Sequence, residues 1–277
     1  MTIRAPKVSV CIPTYQGEAT LGAAIESVLA QSHSDFELIV IDDGSSDDTR
    51  AIVERFTDPR LVYLRNEYNL GPQGNWNRCL DMAQGKYFKL LPHDDLLHPH
   101  CLQQQTAVLD TDFNERTALV FSARDVLGPD GRLLTHRSYP GGREGPISSS
   151  MVMRSCVRFG TNLLGEPGAV LFRKALADKV GAFDATNPYV IDLDYWFRLL
   201  AHGDAYYCAD SLASFRVSGG SWSVAIGTRQ SCDFHAFVTR YAEIGVLPAT
   251  SFDYLCCRVT PLINNLARML FYRLYIR

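Results

Sequence analysis

Two short apolar runs, each ending in a pair of adjacent carboxylates, constrain the fold of this chain more than any other feature. One is Ile39-Val-Ile-Asp42-Asp43-Gly-Ser45, and the other is Lys89-Leu-Leu-Pro-His-Asp94-Asp95. A short apolar run is typical of a strand buried on both faces of a sheet. Open α/β sheets bind ligands just beyond the carboxyl ends of such strands. Because adjacent carboxylates repel each other unless positive charge separates them, the pairs indicate a site for a cation, or for hydroxyl and ring N–H groups.

Strand and helix patterns alternate through the first half of the chain. Apolar runs predict strands at 8–12, 36–41, 61–64 and 87–91, and helical spacing predicts helices at 18–31, 49–56 and 74–83 between them. Short connections between alternating elements favour parallel strands joined by right-handed crossovers. We therefore predict an α/β fold in which helices flank a mostly parallel sheet.

The second half of the chain predicts further elements and then a change of pattern. We expect helices at 99–109, 174–180 and 192–201, strands at 118–121, 169–172, 205–208 and 212–217, a hairpin turn at 128–131 and an exposed loop at 138–146. After residue 227 the pattern becomes helical. We predict one domain over 1–223, with a nucleotide-binding half (1–95) and an acceptor half (96–223), followed by a helical extension over 224–277.

Composition excludes several classes of protein. The net charge of -3 provides no basic field, so we do not expect a nucleic-acid partner. No run approaches the roughly 18 apolar residues that a membrane span needs. The eight cysteines form no Cys-x-x-Cys pair, and Met1 leads directly into a strand pattern without a signal peptide. These observations favour a cytoplasmic protein with reduced cysteines.

The two acidic motifs belong to an ordered series of short segments. The series consists of Val8-Ser-Val-Cys-Ile-Pro-Thr-Tyr15, Ser27-Val-Leu-Ala-Gln31, Phe36-Glu-Leu-Ile-Val-Ile-Asp-Asp-Gly-Ser45, Asn69-Leu-Gly71, Asn77-Arg-Cys-Leu80, Ala83-Gln-Gly-Lys-Tyr87, His93-Asp-Asp-Leu-Leu-His-Pro99, Val180-Gly-Ala-Phe183 and Asp192-Leu-Asp-Tyr-Trp-Phe-Arg198. In order and spacing the series resembles the inverting glycosyltransferases of family 2, which have the Rossmann-like GT-A fold. The resemblance covers about four fifths of the chain.

The resemblance implies a nucleotide-diphospho-sugar donor, with a uridine-type base favoured. Tyr15 is placed to lie against the base, although packing within its loop is an alternative. Asp42 and Asp43 are placed to accept from a base N–H or a ribose hydroxyl, with Asp43 facing the base, although a pair at a helix N-terminus is also a simple interpretation. The other positions that the resemblance assigns to donor binding are Pro13, Thr14, Glu18, Gly71, Asn75, Arg78, His93 and Asp94.

Asp94 resembles the metal-binding residue of the family's Asp-x-Asp motif. The resemblance implies Mg²⁺ or Mn²⁺, which favour oxygen ligands and neutralise a departing diphosphate. The first Asp of that motif is replaced here by Pro92, which leaves its ribose contact open. His93 could supply part of that contact, although a loop histidine without a ligand is an equally good interpretation. Ser218 stands where a His often completes the metal shell, so the metal would depend on Asp94, the diphosphate and water.

Asp192 occupies the position of the family's catalytic base. Ile191 replaces the Glu that usually precedes it, but one carboxylate is sufficient to deprotonate an acceptor hydroxyl. Asp194 is the rival base. We interpret it instead as an acidic residue on an exposed first helical turn, where its negative charge interacts favourably with the helix dipole.

The C-terminal segment from 254 to 277 contains four arginines and no acidic residue. Two interpretations stay open for it. Since acceptors in this family are often lipid-linked saccharides, a basic tail could contact anionic lipid at the inner face of the membrane. On a helical wheel, however, Arg273 and Arg277 lie near Leu266, which favours a helix that packs on the protein.

The sequence therefore predicts a metal-dependent, inverting glycosyltransferase of polysaccharide or glycolipid biosynthesis. The alternative is a non-catalytic relative that binds nucleotide and acts as a scaffold, because Pro92, Ile191 and Ser218 each replace an expected site residue. A nucleotidyltransferase is a third hypothesis. It would require a basic, Gly-rich loop after the first strand, and Pro13-Thr-Tyr-Gln-Gly17 contains no basic residue.

Overall fold

A computed structural model describes residues 5–217 and 230–275, which form one sheet flanked by helices. The strands are β1 Val8–Thr14, β2 Phe36–Asp42, β3 Leu61–Arg65, β4 Tyr87–Leu90, β5 Leu96–Leu97, β6 Thr117–Leu127, β7 Leu133–Arg137, β8 Gly145–Ile147, β9 Val170–Arg173 and β10 Asp204–Arg216. The helices are α1 Leu21–Leu29, α2 Thr49–Val53, α3 Gly71–Met82, α4 Cys101–Thr111, α5 Ser149–Phe159, α6 Lys174–Val180, α7 Ile191–Leu200, α8 Gln230–Glu243 and α9 Ser251–Tyr275.

The strand order is β3-β2-β1-β4-β9-β6-β10-β5, with β7 paired to β6 and β8 paired to β10. The first four strands are parallel, so their carboxyl ends meet at one edge of the sheet. Beyond them, β9 runs antiparallel to both of its neighbours, whereas β6 and β10 pair in parallel. The α/β class with C-terminal helices is confirmed. The parallel prediction holds for the first half of the sheet, and the second half is mixed.

Several strands extend beyond their predicted ends, and β1 and β10 show why. β1 continues through Pro13, because β4 pairs with β1 only as far as Cys11 and the missing proline N–H costs no ladder hydrogen bond there. The two strands predicted at 205–208 and 212–217 are one strand, β10, whose register with β6 shifts after Cys208. This irregularity reflects a β-bulge, which explains why the apolar alternation breaks in the sequence.

Alternate residues of the central strands point into two cores on opposite faces of the sheet. Val10 and Ile12 of β1 pack with α1, α2 and α4, whereas Cys11 points to the face covered by α3, α5, α6 and α7. In β2, Val40 and Ile41 divide in the same way. This alternation explains why continuous apolar runs, rather than half-polar ones, encode these strands.

Helix α9 packs along α5 on one face and leaves apolar side chains exposed on another. On the packed face, the buried Asp253 carboxylate accepts hydrogen bonds from Arg154 Nε at 2.9 Å and Arg158 Nε at 2.5 Å. Exposed apolar side chains of α9 include Phe252, Leu255, Val259, Leu262, Ile263, Leu266 and Leu270. None of the helices within the described ranges has both the length and the apolar character to cross a bilayer.

Candidate active site

The loops that follow β1 and β4 meet at the carboxyl edge of the parallel strands. Gly17 lies between them, and a Cβ atom there would stand 2.3 Å from Thr14 Oγ1 and 3.3 Å from His93 Cδ2. The Thr14 hydroxyl is buried without a hydrogen-bond partner in the described part of the chain. The structure thus brings Thr14 and His93, both predicted to contact the donor, to the two sides of one glycine.

Asp42 shapes the turn after β2. Its carboxylate is fully buried, with Oδ1 accepting from the Ser45 N–H at 2.9 Å and Oδ2 accepting from the Tyr63 hydroxyl at 2.7 Å. The Arg65 guanidinium lies 3.7 Å from the same Oδ2. The protein itself therefore uses both oxygens of Asp42, and the contact of this residue with the donor stays a prediction.

Asp43 is the centre of a buried polar network. Its Oδ1 accepts from Asn66 Nδ2 at 2.5 Å and from the Leu70 N–H at 2.8 Å. Asn66 also accepts a hydrogen bond from Arg78 and contacts Asn75, whose own Nδ2 donates to the Ile41 carbonyl at 3.0 Å. Three predicted donor residues, Asp43, Asn75 and Arg78, therefore come together. Asn66 was missed, although its place directly after β3 at the ligand-binding edge is the signal that identifies it.

The remaining predicted donor residues lie around this network. Tyr15 is 48% exposed, so its ring is accessible. Glu18 is exposed, and its Oε2 accepts from the Asp48 N–H at 3.2 Å, which joins the β1 loop to the start of α2. Gly71 has a φ of +72°, a backbone conformation that favours glycine, at the start of α3. Pro13 is buried at the end of β1.

A cavity of about 260 Å³ opens beside the carboxyl edge of the parallel strands. Four carboxylate residues line it, namely Asp94, Asp95, Glu166 and Asp192. Trp76, Pro92, Tyr189 and Phe215 contribute apolar walls. The predicted metal ligand and the predicted base, which are almost a hundred residues apart in sequence, therefore face one cavity.

The two adjacent aspartates of the β4 loop have different environments. Asp95 is buried, and its Oδ1 accepts from the Arg216 N–H at 3.0 Å. Burial and then the neighbouring Asp94 carboxylate raise the pKa of Asp95 well above its usual range. Asp94 is partly exposed and receives Arg216 Nε through its backbone carbonyl at 3.2 Å. Within the described ranges, no hydrogen bond or ion pair uses the Asp94 carboxylate, so it can serve as a ligand.

Asp192 stands in the first turn of α7 and is held from two sides. Its Oδ1 accepts from the Leu193 N–H at 2.7 Å and its Oδ2 accepts from Asn162 Nδ2 at 2.9 Å. Burial and then the Glu166 carboxylate raise the pKa of Asp192 to about 7. A carboxylate whose pKa is raised to the working pH can accept a proton far better than an ordinary aspartate.

Glu166 stays ionised close to Asp192. Burial opposes its charge, but Arg124 and Arg137 outweigh that effect and lower the pKa of Glu166. Arg124 is buried in β6 and binds both the Glu166 carboxylate and, at 3.2 Å, the Asn162 carbonyl. Arg124 and Asn162 were not predicted from the sequence. An arginine within an apolar strand pattern was the available signal for Arg124.

Asp194, the rival base, faces away from this cavity. Its Oδ2 accepts from Arg198 Nε at 2.9 Å and its Oδ1 accepts from the Tyr241 hydroxyl at 2.8 Å. Asp194 is only 4% exposed, so its prediction as a residue on an exposed turn was wrong. The carboxylate joins α7 to α8 because helical geometry turns it about 200° from Asp192.

The donor set of the cavity suits a hard divalent cation. Carboxylate oxygens are the ligands that Mg²⁺ and Mn²⁺ favour, and Asp94 offers two without a protein partner in the described ranges. No group of three or more His, Cys, Asp or Glu side chains with metal-binding geometry occurs in residues 5–217 and 230–275. Ser218, the other position predicted near the metal, lies outside the described residues.

Comparison with known proteins identifies the family. The sequence profile described as glycosyl transferase family 2 matches residues 9–181, which is more than half of the chain. The chain belongs to this family. Over 102 residues, which are 37% of this chain and 40% of the relative, the chain is 40% identical to a UDP-Glc:α-D-GlcNAc-diphosphoundecaprenol β-1,3-glucosyltransferase of Escherichia coli. The chain spans less than two thirds of the length of the first curated relatives that it matches, 62% and 65% for two of them.

Two solved structures share the fold. Staphylococcus aureus TarS (residues 1–349) in complex with UDP-GlcNAc matches 98% of this chain and 76% of its own, with a TM-score of 0.69 and 19% identity. A mannosyltransferase of Pyrobaculum calidifontis in complex with GDP-Man and Mn²⁺ matches 99% of this chain and 82% of its own, with a TM-score of 0.63 and 16% identity. At these identities the likeness establishes the fold of this chain.

Proposed function

We propose that this glycosyltransferase moves a sugar, with inversion, from a UDP-type donor to a hydroxyl of a lipid-linked saccharide. The observation that carries the proposal is the cavity that Asp94 and Asp192 share beside the Asp43 network. The E. coli relative, whose name specifies a UDP donor and a diphosphoundecaprenol-linked acceptor, supports the choice of substrates. The shared cavity and the raised pKa of Asp192 favour catalysis over a scaffold role.

In the proposed reaction, the Asp43 network and the carboxylate cavity have separate roles. Asp43, Asn66 and Arg78 hold the nucleoside end of the donor, and the exposed Tyr15 ring stacks on the base. Asp192 accepts the proton of the acceptor hydroxyl while that oxygen attacks the anomeric carbon from the face opposite the diphosphate. Asn162 and the Leu193 N–H keep the Asp192 carboxylate in position. One displacement inverts the anomeric centre.

The residues at the diphosphate end fit a divalent cation. Asp94 would hold Mg²⁺ or Mn²⁺, which supplies Lewis-acid stabilisation of the negative charge on a leaving diphosphate. The Mn²⁺ in the related mannosyltransferase structure supports this assignment. Arg216 holds the Asp94 backbone through its carbonyl, so the loop is fixed while the carboxylate is left for the ion.

A transfer assay tests the proposal. UDP-glucose, UDP-GlcNAc and ADP-glucose are each incubated with Mn²⁺ and an alkyl diphosphate-linked GlcNAc acceptor. We expect turnover with a UDP-sugar, no turnover with ADP-glucose and a β-linked product by NMR, because inversion of an α-linked donor gives a β-glycoside. Nucleotide binding without turnover on any acceptor would instead support a scaffold, and an α-linked product would contradict the single displacement.

We also propose that α9 holds the enzyme against an anionic membrane surface. Its exposed leucine, isoleucine and valine side chains are accompanied by the exposed Arg258 and Arg273, and positions 254–275 contain no acidic residue. An apolar face with flanking arginines binds anionic bilayers through burial of apolar area and electrostatic attraction. A lipid-linked acceptor would be reached from such a position.

Vesicle binding tests this surface. The protein should sediment with phosphatidylglycerol vesicles and much less with phosphatidylcholine vesicles. Replacing Leu262 and Leu266 together by Asp should weaken this binding by about tenfold or more, because two apolar contacts are lost and charge repulsion is added. Phe113→Asp is the control, since Phe113 is 90% exposed and follows α4, which packs on the face of the sheet opposite to the one that contacts α9. Equal sedimentation of both variants would contradict the assignment.

A further inference from the structure

Lys89 is an ionisable residue at the centre of the sheet whose role the fold does not explain. Its side chain is fully buried in β4, on the face that α4 covers. The titratable groups that face it in the described part of the chain are the thiols of Cys101 and Cys208, and burial lowers the pKa of Lys89. A buried lysine without a carboxylate partner costs free energy that an apolar side chain would not. Its Nζ atom is therefore a candidate for a specific task.

The Nζ atom of Lys89 holds a turn beside the strand. It donates to the Gly168 carbonyl at 2.8 Å, and Gln105 of α4, which is also fully buried, donates to the Ala169 carbonyl at 2.8 Å. The pairing of β4 with β9 ends at Phe88, so no ladder hydrogen bond between these two strands fixes the turn. Two buried side-chain donors therefore take the place of strand pairing at the turn 166–169.

The same turn reaches the candidate base. Its first residue, Glu166, lines the carboxylate cavity with Asp192, and the Glu166 carbonyl accepts from the Ala169 N–H at 2.9 Å. The carbonyl of the preceding Gly165 accepts from Asn162 Nδ2 at 2.9 Å, and the same amide group donates to Asp192 Oδ2 at 2.9 Å. A movement of the turn is therefore transmitted to Asp192 in two ways, through the Asn162 amide and through the distance to the Glu166 carboxylate.

We propose that Lys89 is a positioning residue for Asp192, which it keeps in place through the turn 166–169. The inference rests on the proposed function, in which Asp192 is the base, and it adds a residue from the other side of the sheet to that site. A displacement of about 1 Å can cost a catalytic group about a hundredfold in rate, so Lys89 contributes to kcat without touching substrate. The charged groups that face Glu166 are Arg124 of β6, Arg137 of β7, Asp95 of the β4 loop and Asp192 of α7.

The direction of the effect on Asp192 distinguishes positioning from a simple effect of charge. Burial and then the Glu166 carboxylate raise the pKa of Asp192, so a turn that moves Glu166 away lowers that pKa. Loss of positive charge at Lys89 acts in the opposite direction, because a nearby cation favours an ionised carboxylate. Lys89→Met should therefore lower the pKa of Asp192 only if the turn moves.

Carbon-13 NMR of protein labelled at the aspartate carboxyl carbons tests the proposal without substrate or metal. The Asp192 signal is assigned by its absence in Asp192→Asn. We expect Lys89→Met to lower the titration midpoint of this signal by at least about half a pH unit. Gln105→Leu, which removes the second donor without a change of charge, should lower it as well. Gln31→Leu is the matched control, since this buried amide donates to the His98 carbonyl at 2.8 Å and not to the turn.

Combination with Glu166→Gln shows whether the effect passes through the turn. Glu166→Gln should itself lower the midpoint, and Lys89→Met should lower it less in that background than alone. An unchanged or raised midpoint in Lys89→Met, an undiminished fall in the double variant, or an equal fall in Gln31→Leu would overturn the proposal. If Lys89→Met does not fold, Gln105→Leu decides in the same way. If the wild type transfers no sugar, the proposed function fails, whereas the titration still decides whether Lys89 positions Asp192.

Discussion

Asp192→Asn is expected to lower kcat by about 10²- to 10⁴-fold, because a positioned general base contributes this much to the rate. The substitution keeps the shape of the side chain and one oxygen, but it removes the proton acceptor. UDP affinity should change little, since Asp192 lies at the acceptor end of the site. Steady-state kinetics with a saturating UDP-sugar, together with calorimetric UDP binding, measures the two effects separately.

Thermal stability provides the control for this substitution. The pKa of Asp192 is raised from its ordinary value to about 7 in the folded protein. Between these values the folded state binds more protons than the unfolded state, so the ionised carboxylate lowers stability as pH rises. At pH 7.5 we therefore expect the thermal unfolding midpoint of Asp192→Asn to be equal to or higher than that of the wild type. A large fall in the midpoint would mean that lost activity reflects misfolding.

Asp94→Ala should weaken metal-dependent UDP binding by at least about a hundredfold, because the cation would lose its protein carboxylate. Binding measured without a divalent ion should be the same in the variant and the wild type. Titration of UDP with Mn²⁺ and with chelator gives both values. The effect depends on Asp94 rather than Asp95, since Asp95 is buried and occupied by the Arg216 N–H.

Two further variants serve as controls for Asp94→Ala. Asp81→Ala removes an exposed carboxylate of α3 and should leave metal-dependent binding unchanged. Asp95→Asn should instead keep the thermal midpoint or raise it, because Asn retains an oxygen for the Arg216 N–H and removes a buried carboxylate whose pKa is raised well above its usual range. If Asp94→Ala keeps the full response to Mn²⁺ while folded Asp95→Asn loses it, the ligand is Asp95.

The carboxyl edge of the parallel strands could be predicted because local sequence patterns determine it. Apolar runs specify β1, β2 and β4, their parallel order places the carboxyl ends together, and the residues that follow these strands form the edge. Asp43 and Asp94 could therefore be named from the sequence. Asn66 likewise comes directly after a strand, β3. Because β3 is partly exposed, its apolar pattern is weaker, and Asn66 was not predicted.

The acceptor side depends on contacts between distant segments, which spacing does not reveal. Arg124 reaches Glu166 across 42 positions, and Asn162 reaches Asp192 across 30. Asp194 shows the same limit: the sequence pattern placed it on an exposed turn, whereas Tyr241, from a helix 47 positions later, covers it. The contact between Lys89 and the Gly168 carbonyl likewise joins segments 79 positions apart.

The pH dependence of acceptor kcat/KM tests most directly whether Asp192 is the base. For the wild type, log kcat/KM should be level above pH 8 and fall with a slope of about one below an apparent pKa near 7, because protonated Asp192 cannot accept a proton. The residual activity of Asp192→Asn should lack this acid limb, and UDP affinity measured over the same range should stay level. A profile without an inflection near pH 7, or the same acid limb in the variant, would contradict the assignment of Asp192 as the catalytic base.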